Sequence, residues 1–446
     1  MTFSLSRLAE IADGRVIGED VEIRGMIHDA RRVEAGNLFC ALPGEHHDGH
    51  HFLDQAREND AAAALVSRDG DHPLPRVLVE DVRDAMGRIA RAWRESLGVS
   101  VIGITGSNGK TTVKEMVAAI LSTQGPTLAT RGNYNNELGV PLTLARLDAS
   151  HRFAVVEMGC NRPGDIAYLA SVAGPDVGVV TNAGPAHLEL LGSVEGVART
   201  KGEMFSALSA GGTAVINADD AFAPLWRELA GERRIISFGW DGAANVSGVL
   251  SRSTAMVNTP NGDFSFAPAL PGQHNFSNAL AATAVAVALD VPLSAVAQAL
   301  AGMQSLPGRL QARRHADGWQ LVDDTYNANP ASLYAALQVL AEMTGEERWL
   351  VLGDMGELGA GGQQLHAEMG QTARDLGVDR LYAIGDLARF SADAFDGPAH
   401  HFDTHEALIE ALGEQLRPGV ICLVKGSRAM GMERIVEGLL KGEESC

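Results

Sequence analysis

Cysteine is scarce in this chain. Its four cysteines, Cys40, Cys160, Cys422 and Cys446, lie far apart, and none stands in a CxxC pair. Neither a disulfide framework nor a cysteine-based zinc site is indicated, and the pattern reads as free thiols in a reducing compartment. Basic residues are also short: 36 Lys and Arg face 56 Asp and Glu, a formal net charge of −20. That balance argues against nonspecific binding to nucleic acid or to an acidic membrane, both of which need a basic surface. An anionic nucleotide can still bind where loop amides, a few basic groups and Mg²⁺ supply local positive charge. Long apolar runs are missing too, so no segment approaches membrane-spanning length. The opening MTFSLSRLAEIADG has neither the apolar core nor the small-residue cleavage site of a signal peptide. Internal repeats and low-complexity segments are not evident. The expectation is a cytoplasmic monomer that binds no nucleic acid and no membrane. Apolar residues make up 46% of the 446, enough for sizeable cores; this length predicts roughly two to four domains.

The chain does have a phosphate-loop signature, Gly103-Ile104-Thr105-Gly106-Ser107-Asn108-Gly109-Lys110-Thr111-Thr112. The apolar run Val99 to Ile104 reads as a buried strand, and Val113 to Leu121 carries apolar residues at helical spacing. Glycines let backbone N–H groups converge on a polyphosphate, and the helix N-terminus adds its positive end. Lys110 is placed to reach the terminal phosphates and the Thr111 hydroxyl to ligate Mg²⁺. The usual pattern sets its first glycine where this chain has Ile104; Gly103 stands one place too early, so the loop is a variant form. A glycine turn that merely joins strand to helix is the alternative. The register of strand, Gly-Lys-Thr-Thr and helix speaks against it.

Around this loop the chain reads as α/β with three domains. Residues 1–98 form a small α/β N-terminal domain, with a helix from Leu5 to Ile11 and strands at Ile23 to His28, Asn37 to Leu42, Ala61 to Val66 and Arg76 to Val79. A helix from Asp81 to Leu97 leads out of it. The histidine-rich stretch Pro43 to Phe52 does not match zinc spacing and reads as a solvated loop. Residues 99–308 form a central P-loop domain with a mostly parallel sheet, its further strands at Phe153 to Glu157, Val177 to Thr181, Thr213 to Asn217 and Ile235 to Phe238. Val246 to Phe266 reads as antiparallel hairpins, Asn275 to Leu289 as an alanine-rich helix, and Leu306-Pro307-Gly308-Arg309 as a hinge. Residues 309–446 alternate strand and helix as a C-terminal Rossmann-like, doubly wound domain. Its strands are Gln320 to Asp323, Trp349 to Leu352, Arg380 to Ile384, His400 to Phe402 and Val420 to Val424. Ligands in such sheets sit at the strands' carboxyl ends, here Asp323-Asp324, Gly353-Asp354, Gly385-Asp386 and Lys425-Gly426.

Several residues carry candidate chemistry. Glu157 ends its strand beside the phosphate loop, where a carboxylate is placed to hold Mg²⁺ directly or through water. His187 follows a strand end, which balances a ligand role against that of an ordinary hydrogen-bonded histidine. Lys201 lies in a predicted helix and by itself reads as a solvated charge. Asn275 and Asn278 open a helix after a glycine turn, and N-capping would account for them. Asp324, Tyr326, Asn327 and Asn329 form a polar run denser than loop capping explains. On this footing the protein binds a nucleoside triphosphate with Mg²⁺ and acts on something held by flanking domains. Whether phosphate passes to water, a hydroxyl or a carboxylate stays open.

At these residues the chain resembles the Mur ligase family, ATP-dependent amide-bond-forming enzymes of peptidoglycan synthesis. The variant loop is that family's form of the motif, and the resemblance covers nearly the whole chain. Asn133 to Pro141 (NYNNELGVP), Leu352 to Gly359 (LGDMGELG) and Val424 to Arg428 (VKGSR) bring it nearest the members that add D-alanyl-D-alanine to UDP-N-acetylmuramoyl-tripeptide. The resemblance implies that ATP phosphorylates the tripeptide carboxylate and that the dipeptide amine attacks the acyl phosphate, leaving the amide, ADP and phosphate. It implies catalytic roles for Lys110, Glu157, His187 and Lys201. It places two Mg²⁺ ions on Thr111, Glu157, His187 and a carbamylated Lys201. ATP is assigned to Gly106, Ser107, Asn108, Gly109, Lys110, Thr111 and Thr112, with Asn275 at adenine, Asp324 at the ribose and Arg309 at the phosphates. Asn135, Asn136 and Arg162 are assigned to the muramoyl peptide, and Asn327 and Asn329 to the neighbourhood of the dipeptide. Residues 1–98, through Asp29 and Arg31, are assigned to the uridine diphosphate end; the family's usual Asp-Ser/Thr-Arg is Asp29-Ala30-Arg31 here, one hydroxyl fewer. The C-terminal domain is expected to rotate about Leu306 to Leu310 and close on the ligands. A sibling ligase of another muramoyl peptide or of folylpolyglutamate is the near alternative, and a P-loop switch protein the distant one.

Overall fold

The computed structural model describes residues 1–44, 47–251 and 253–441. Three α/β units follow one another along the chain. The first has a five-stranded sheet in the order Arg15–Ile17, Arg76–Leu78, Ala63–Val66, Leu38–Cys40, Met26–Ile27, and beside it a two-stranded ladder of Thr2–Ser4 with Glu22–Arg24. The single strand expected from Ile23 to His28 is therefore two. Gly25 breaks it with φ +85°, a conformation that glycine adopts without strain. The helix Val82–Glu95 leaves this unit. It buries Val82, Ala85, Met86 and Ile89 in a core shared with Leu5 and Leu8, and with Leu142 and Ala145 of the next unit.

The central sheet has nine strands, ordered Gly262–Phe266, Ala255–Thr259, Val246–Leu250, Arg234–Gly239, Thr213–Asn217, Val177–Val180, Ser100–Thr105, Phe153–Glu157, Thr127–Ala129. Every neighbouring pair from Thr127–Ala129 to Val246–Leu250 is parallel, and the last two pairings are antiparallel, as the hairpin pattern predicts. Side chains alternate between faces. Ile102, Ile104, Val155 and Val179 pack under the helices Lys110–Ser122 and Gln273–Ala288; Val101, Val156 and Val180 face the helices Asp165–Ala173 and Val194–Ser206. Each such buried aliphatic contributes about 1.5–3 kcal/mol relative to exposure. Strand order reverses on either side of Ser100–Thr105, and in open α/β sheets that switch point opens a crevice at the strands' carboxyl ends.

The C-terminal sheet is six-stranded, ordered Gln311–Arg314, Gln320–Asp324, Val420–Lys425, Glu347–Gly353, Arg380–Ile384, Ala399–Phe402, and all but its first pairing are parallel. The short strands Thr127–Ala129 and Gln311–Arg314 were not expected. Both are edge strands, too short to show a pattern. Among the described residues no helix is long and apolar enough to cross a membrane. Cys40, Cys160 and Cys422 are free and buried; Cys446 lies outside the described residues. So do Glu45 and His46 of the histidine-rich stretch. In that stretch His50 is held rather than solvated, its Nδ1 2.7 Å from Asp48 and its Nε2 accepting from the Ser67 amide.

Candidate active site

A cavity of about 600 Å³ opens between the carboxyl edge of the central sheet and the C-terminal unit. No described residue of 1–98 lines it. Its floor is the phosphate loop. Gly106 and Gly109 take φ +151° and +81°, and a Cβ on them would lie 1.8 Å from Thr181 Oγ1 and 2.3 Å from Asn278 Oδ1. Only glycine fits in either place. The loop is pinned from behind: Thr181 Oγ1 donates to Asn108 O at 2.6 Å, and Asn182 accepts from Asn108 N and donates to Asn108 O. Sequence reasoning passed over Thr181 and Asn182, although they follow a strand end. The helix starts at Lys110 with Gly109 as an N-cap that offers no side chain, so its first N–H groups receive no side-chain cap. Lys110 Nζ bends back to Gly106 O at 2.7 Å and Ser107 O at 3.3 Å. Burial, with the positive charge of Lys201 nearby, pushes its pKa down to about 8.

Glu157 ends its strand as expected, buried, with Oε1 accepting from Asn135 Nδ2 at 2.8 Å. Its Oε2 is buried with no partner. Lys201 is only 1% exposed, so the solvated-charge reading is overturned: its Nζ lies 3.5 Å from Cys160 Sγ, and burial lowers its pKa. His187 sits at φ +55° and pairs through Nδ1 with Glu357 Oε2 at 2.6 Å, a residue of the C-terminal unit. Among the described residues no three His, Cys, Asp or Glu side chains converge as a preformed metal cage.

The C-terminal side supplies the opposite wall. Arg309 donates to Thr111 Oγ1 at 2.9 Å and lies 4.2 Å over the Tyr326 ring. Asp324 accepts from Lys425 Nζ at 2.5 Å and from the Leu310 amide at 3.2 Å. Burial raises its pKa and Lys425 opposes the rise. Asn329 caps the helix Pro330–Glu342 and also donates to Asn108 Oδ1 at 2.9 Å, joining that wall to the phosphate loop. Asn327 lies on the cavity wall, its Oδ1 accepting from the Ala328 amide. Asn275 and Asn278 do not cap their helix. The N-cap is Gly272, and the two amides lie inside the helix, where Asn275 donates to Pro271 O and accepts from Asn278.

The remaining predicted contacts spread outward. Asn135 and Asn136 line the cavity, and Asn136 Oδ1 accepts from the Gly139 amide. Arg162 is exposed and outside the lining. Asp29 and Arg31 form a two-point ion pair on the N-terminal unit, away from the cavity. The sequence marks Glu357 only within a motif and Lys425 only as a motif residue at a strand's carboxyl end; the structure makes each a contact of the site.

A phosphate loop, a strand-end carboxylate with a spare oxygen and a second α/β unit facing them define a nucleotide-dependent enzyme. Residues 22–94 match the Mur ligase family catalytic domain, 104–286 the Mur ligase middle domain and 308–428 the Mur ligase glutamate ligase domain. The chain belongs to the Mur ligase family. It is 41% identical over 447 residues to the UDP-N-acetylmuramoyl-tripeptide--D-alanyl-D-alanine ligase of Escherichia coli strain K12, covering 98% of each chain. Among solved structures it is similar to MurF from Acinetobacter baumannii, with a TM-score of 0.92, 35% identity and 99% of each chain covered. It is also similar to the MurF ligase of Thermotoga maritima in complex with ADP, with a TM-score of 0.84, 29% identity and coverage of 94% of this chain and 98% of that one.

Proposed function

We propose that this chain is an ATP-dependent ligase that joins D-alanyl-D-alanine to UDP-N-acetylmuramoyl-tripeptide by way of an acyl phosphate, giving the pentapeptide, ADP and phosphate for peptidoglycan synthesis. The observation that carries the reading is the end-to-end similarity to the Escherichia coli ligase. In this reading Gly106 to Thr112 hold the ATP phosphates. Lys110 exchanges two neutral carbonyls for phosphate oxygens, where its charge stabilises the group in transfer. Arg309 turns from Thr111 to the phosphates, Asp324 takes the ribose and Asn275 the adenine. Asn135 and Asn136 hold the peptide with Arg162 at the rim, and Asn327 and Asn329 face the dipeptide. Residues 1–98 hold the uridine diphosphate end through Asp29 and Arg31, residues 99–308 bind ATP, and residues 309–446 close over both. Closure excludes water, which would otherwise hydrolyse an acyl phosphate. Asn108–Asn329, Thr111–Arg309 and His187–Glu357 join the central and C-terminal units across the cavity, and in this reading the last two give way when the ligands bind.

The residues present fit Mg²⁺. The unpartnered buried oxygen of Glu157 is a ready anionic donor, and Thr111, His187 and Lys201 would complete two sites. Mg²⁺ held there would supply positive charge to offset that of the phosphoryl group in transfer. His187 joins only by leaving Glu357. Burial of Lys201 disfavours its ammonium and so favours the neutral amine that carbamylation by CO₂ requires. The protein acts as a cytoplasmic monomer. The test is phosphate release from ATP with the muramoyl tripeptide, with and without D-alanyl-D-alanine. Release that needs both, with a pentapeptide by mass, is expected. Release answering to another amino acid moves the acceptor, and release indifferent to both substrates sinks the ligase reading.

A further inference from the structure

Lys425 ends the strand Val420–Lys425, and its register partner on the neighbouring parallel strand is Asp324. Its Nζ lies 2.5 Å from Asp324 Oδ2 and 2.9 Å from the carbonyl of Asn327. Lys425 is 2% exposed and Asp324 9%, so neither charge has water to fall back on. The other Asp324 oxygen takes the amide of Leu310, which follows the hinge arginine and stands at φ +51°. From the central unit His274 faces the same ammonium, and burial together with that charge pushes its pKa down to about 4, so it offers no second cation to Asp324. One ammonium thus fixes a carboxylate, a hinge amide and the loop that leads to Asn329.

We infer that Lys425 is a positioning residue of the ligation reaction, which ties the nucleotide carboxylate Asp324 and the acceptor-side loop at Asn327 to a single point. The inference rests on the nucleotide reading of Asp324 given above. Two of the three ammonium protons are already committed, so the lysine acts through its two partners and not as a contact of the nucleotide. Removing it strands a buried carboxylate, which burial drives toward the neutral form, and releases the Asn327 carbonyl.

The experiment compares Lys425→Met, Asp324→Asn and the double variant with the wild-type chain. ADP affinity is read by calorimetric titration and the KM for D-alanyl-D-alanine by phosphate release. Asp324→Asn is expected to weaken ADP by about tenfold and to leave the dipeptide KM within about twofold. Lys425→Met is expected to weaken ADP equally and to raise the dipeptide KM by about tenfold, a split that general loosening of the fold does not produce. The double variant is expected to bind ADP as Asp324→Asn does, because the lysine acts through the carboxylate. A folded Lys425→Met with both constants within about twofold of wild type overturns the proposal. So does a double variant about tenfold weaker for ADP than Asp324→Asn, which would make Lys425 a direct nucleotide contact. Should Lys425→Met melt below assay temperature, the double variant, with two neutral groups in place of the pair, still decides through ADP. If wild-type phosphate release ignores both the muramoyl tripeptide and the dipeptide, the ligase reading fails by itself and the ADP comparison still judges Lys425.

Discussion

The two walls of the cavity handle charge in opposite ways. Among the described residues of the central wall, Lys110 donates only to carbonyls, Lys201 only to a thiol, and Glu157 keeps one oxygen unpartnered. On the C-terminal wall Lys425 meets Asp324, and Arg309 lies 4.2 Å over the Tyr326 ring. One wall is electrostatically unfinished and the other is complete. An unfinished wall costs stability, because buried polar groups without partners are unfavourable. It is also the wall that gains most when a polyphosphate arrives. The complete wall carries no such deficit at its buried Lys425–Asp324 pair.

Breaking the unfinished side should have the largest effect. Lys110→Met is expected to lower turnover by about 10²–10³-fold, read by phosphate release, with the melting curve little changed. Glu157→Gln separates activity from stability. Turnover should fall, while thermal unfolding without ligands should show a gain of about 1 kcal/mol, since an amide can stay bonded to Asn135 and carries no buried charge. The matched side should respond with the opposite sign: Asp324→Asn strands Lys425 and should cost about 3 kcal/mol in the same unfolding measurement.

Smaller effects sharpen the contrast. His274 has a folded pKa near 4 against an ordinary 6.5. Between those values the unfolded chain binds a proton that the folded chain refuses, so stability rises as pH rises through this window and is lost as pH falls through it. His274→Gln should flatten that part of the stability–pH curve measured by urea titration. The smallest change belongs to Glu357→Gln. The carboxylate is mostly exposed, so the melting temperature should stay within about a degree. The radius of gyration of the ligand-free protein should increase if the His187 contact helps to keep the units closed.

Much of this was legible in the sequence because it was local. The phosphate loop, Glu157 at its strand end and the polar run after Asp324 each announce themselves within a few residues. What was not legible was tertiary. A lysine on a helix looks the same whether it faces water or Cys160, and only packing shows that Lys201 is buried. His187 and Glu357 meet from different units, so no spacing rule links them. The glycine turn points to a helix start at Asn275, but the chain enters the helix at Gly272, which places Asn275 inside and makes it a wall residue. Gly25 divides what alternation alone would keep as one strand.

The order of strands in the C-terminal sheet has a consequence for synthesis. Val420–Lys425 is the last strand of the described chain, yet it lies between Gln320–Asp324 and Glu347–Gly353. While the polypeptide is still emerging from the ribosome, those two strands face each other across an empty slot, each with an unpaired apolar edge. Such edges invite wrong pairings. Filling the slot is also the event that delivers Lys425 to Asp324. A nascent chain therefore cannot complete the pairing of Lys425 with Asp324 until Val420–Lys425 has been made, and a copy cut short of that strand keeps its C-terminal sheet open.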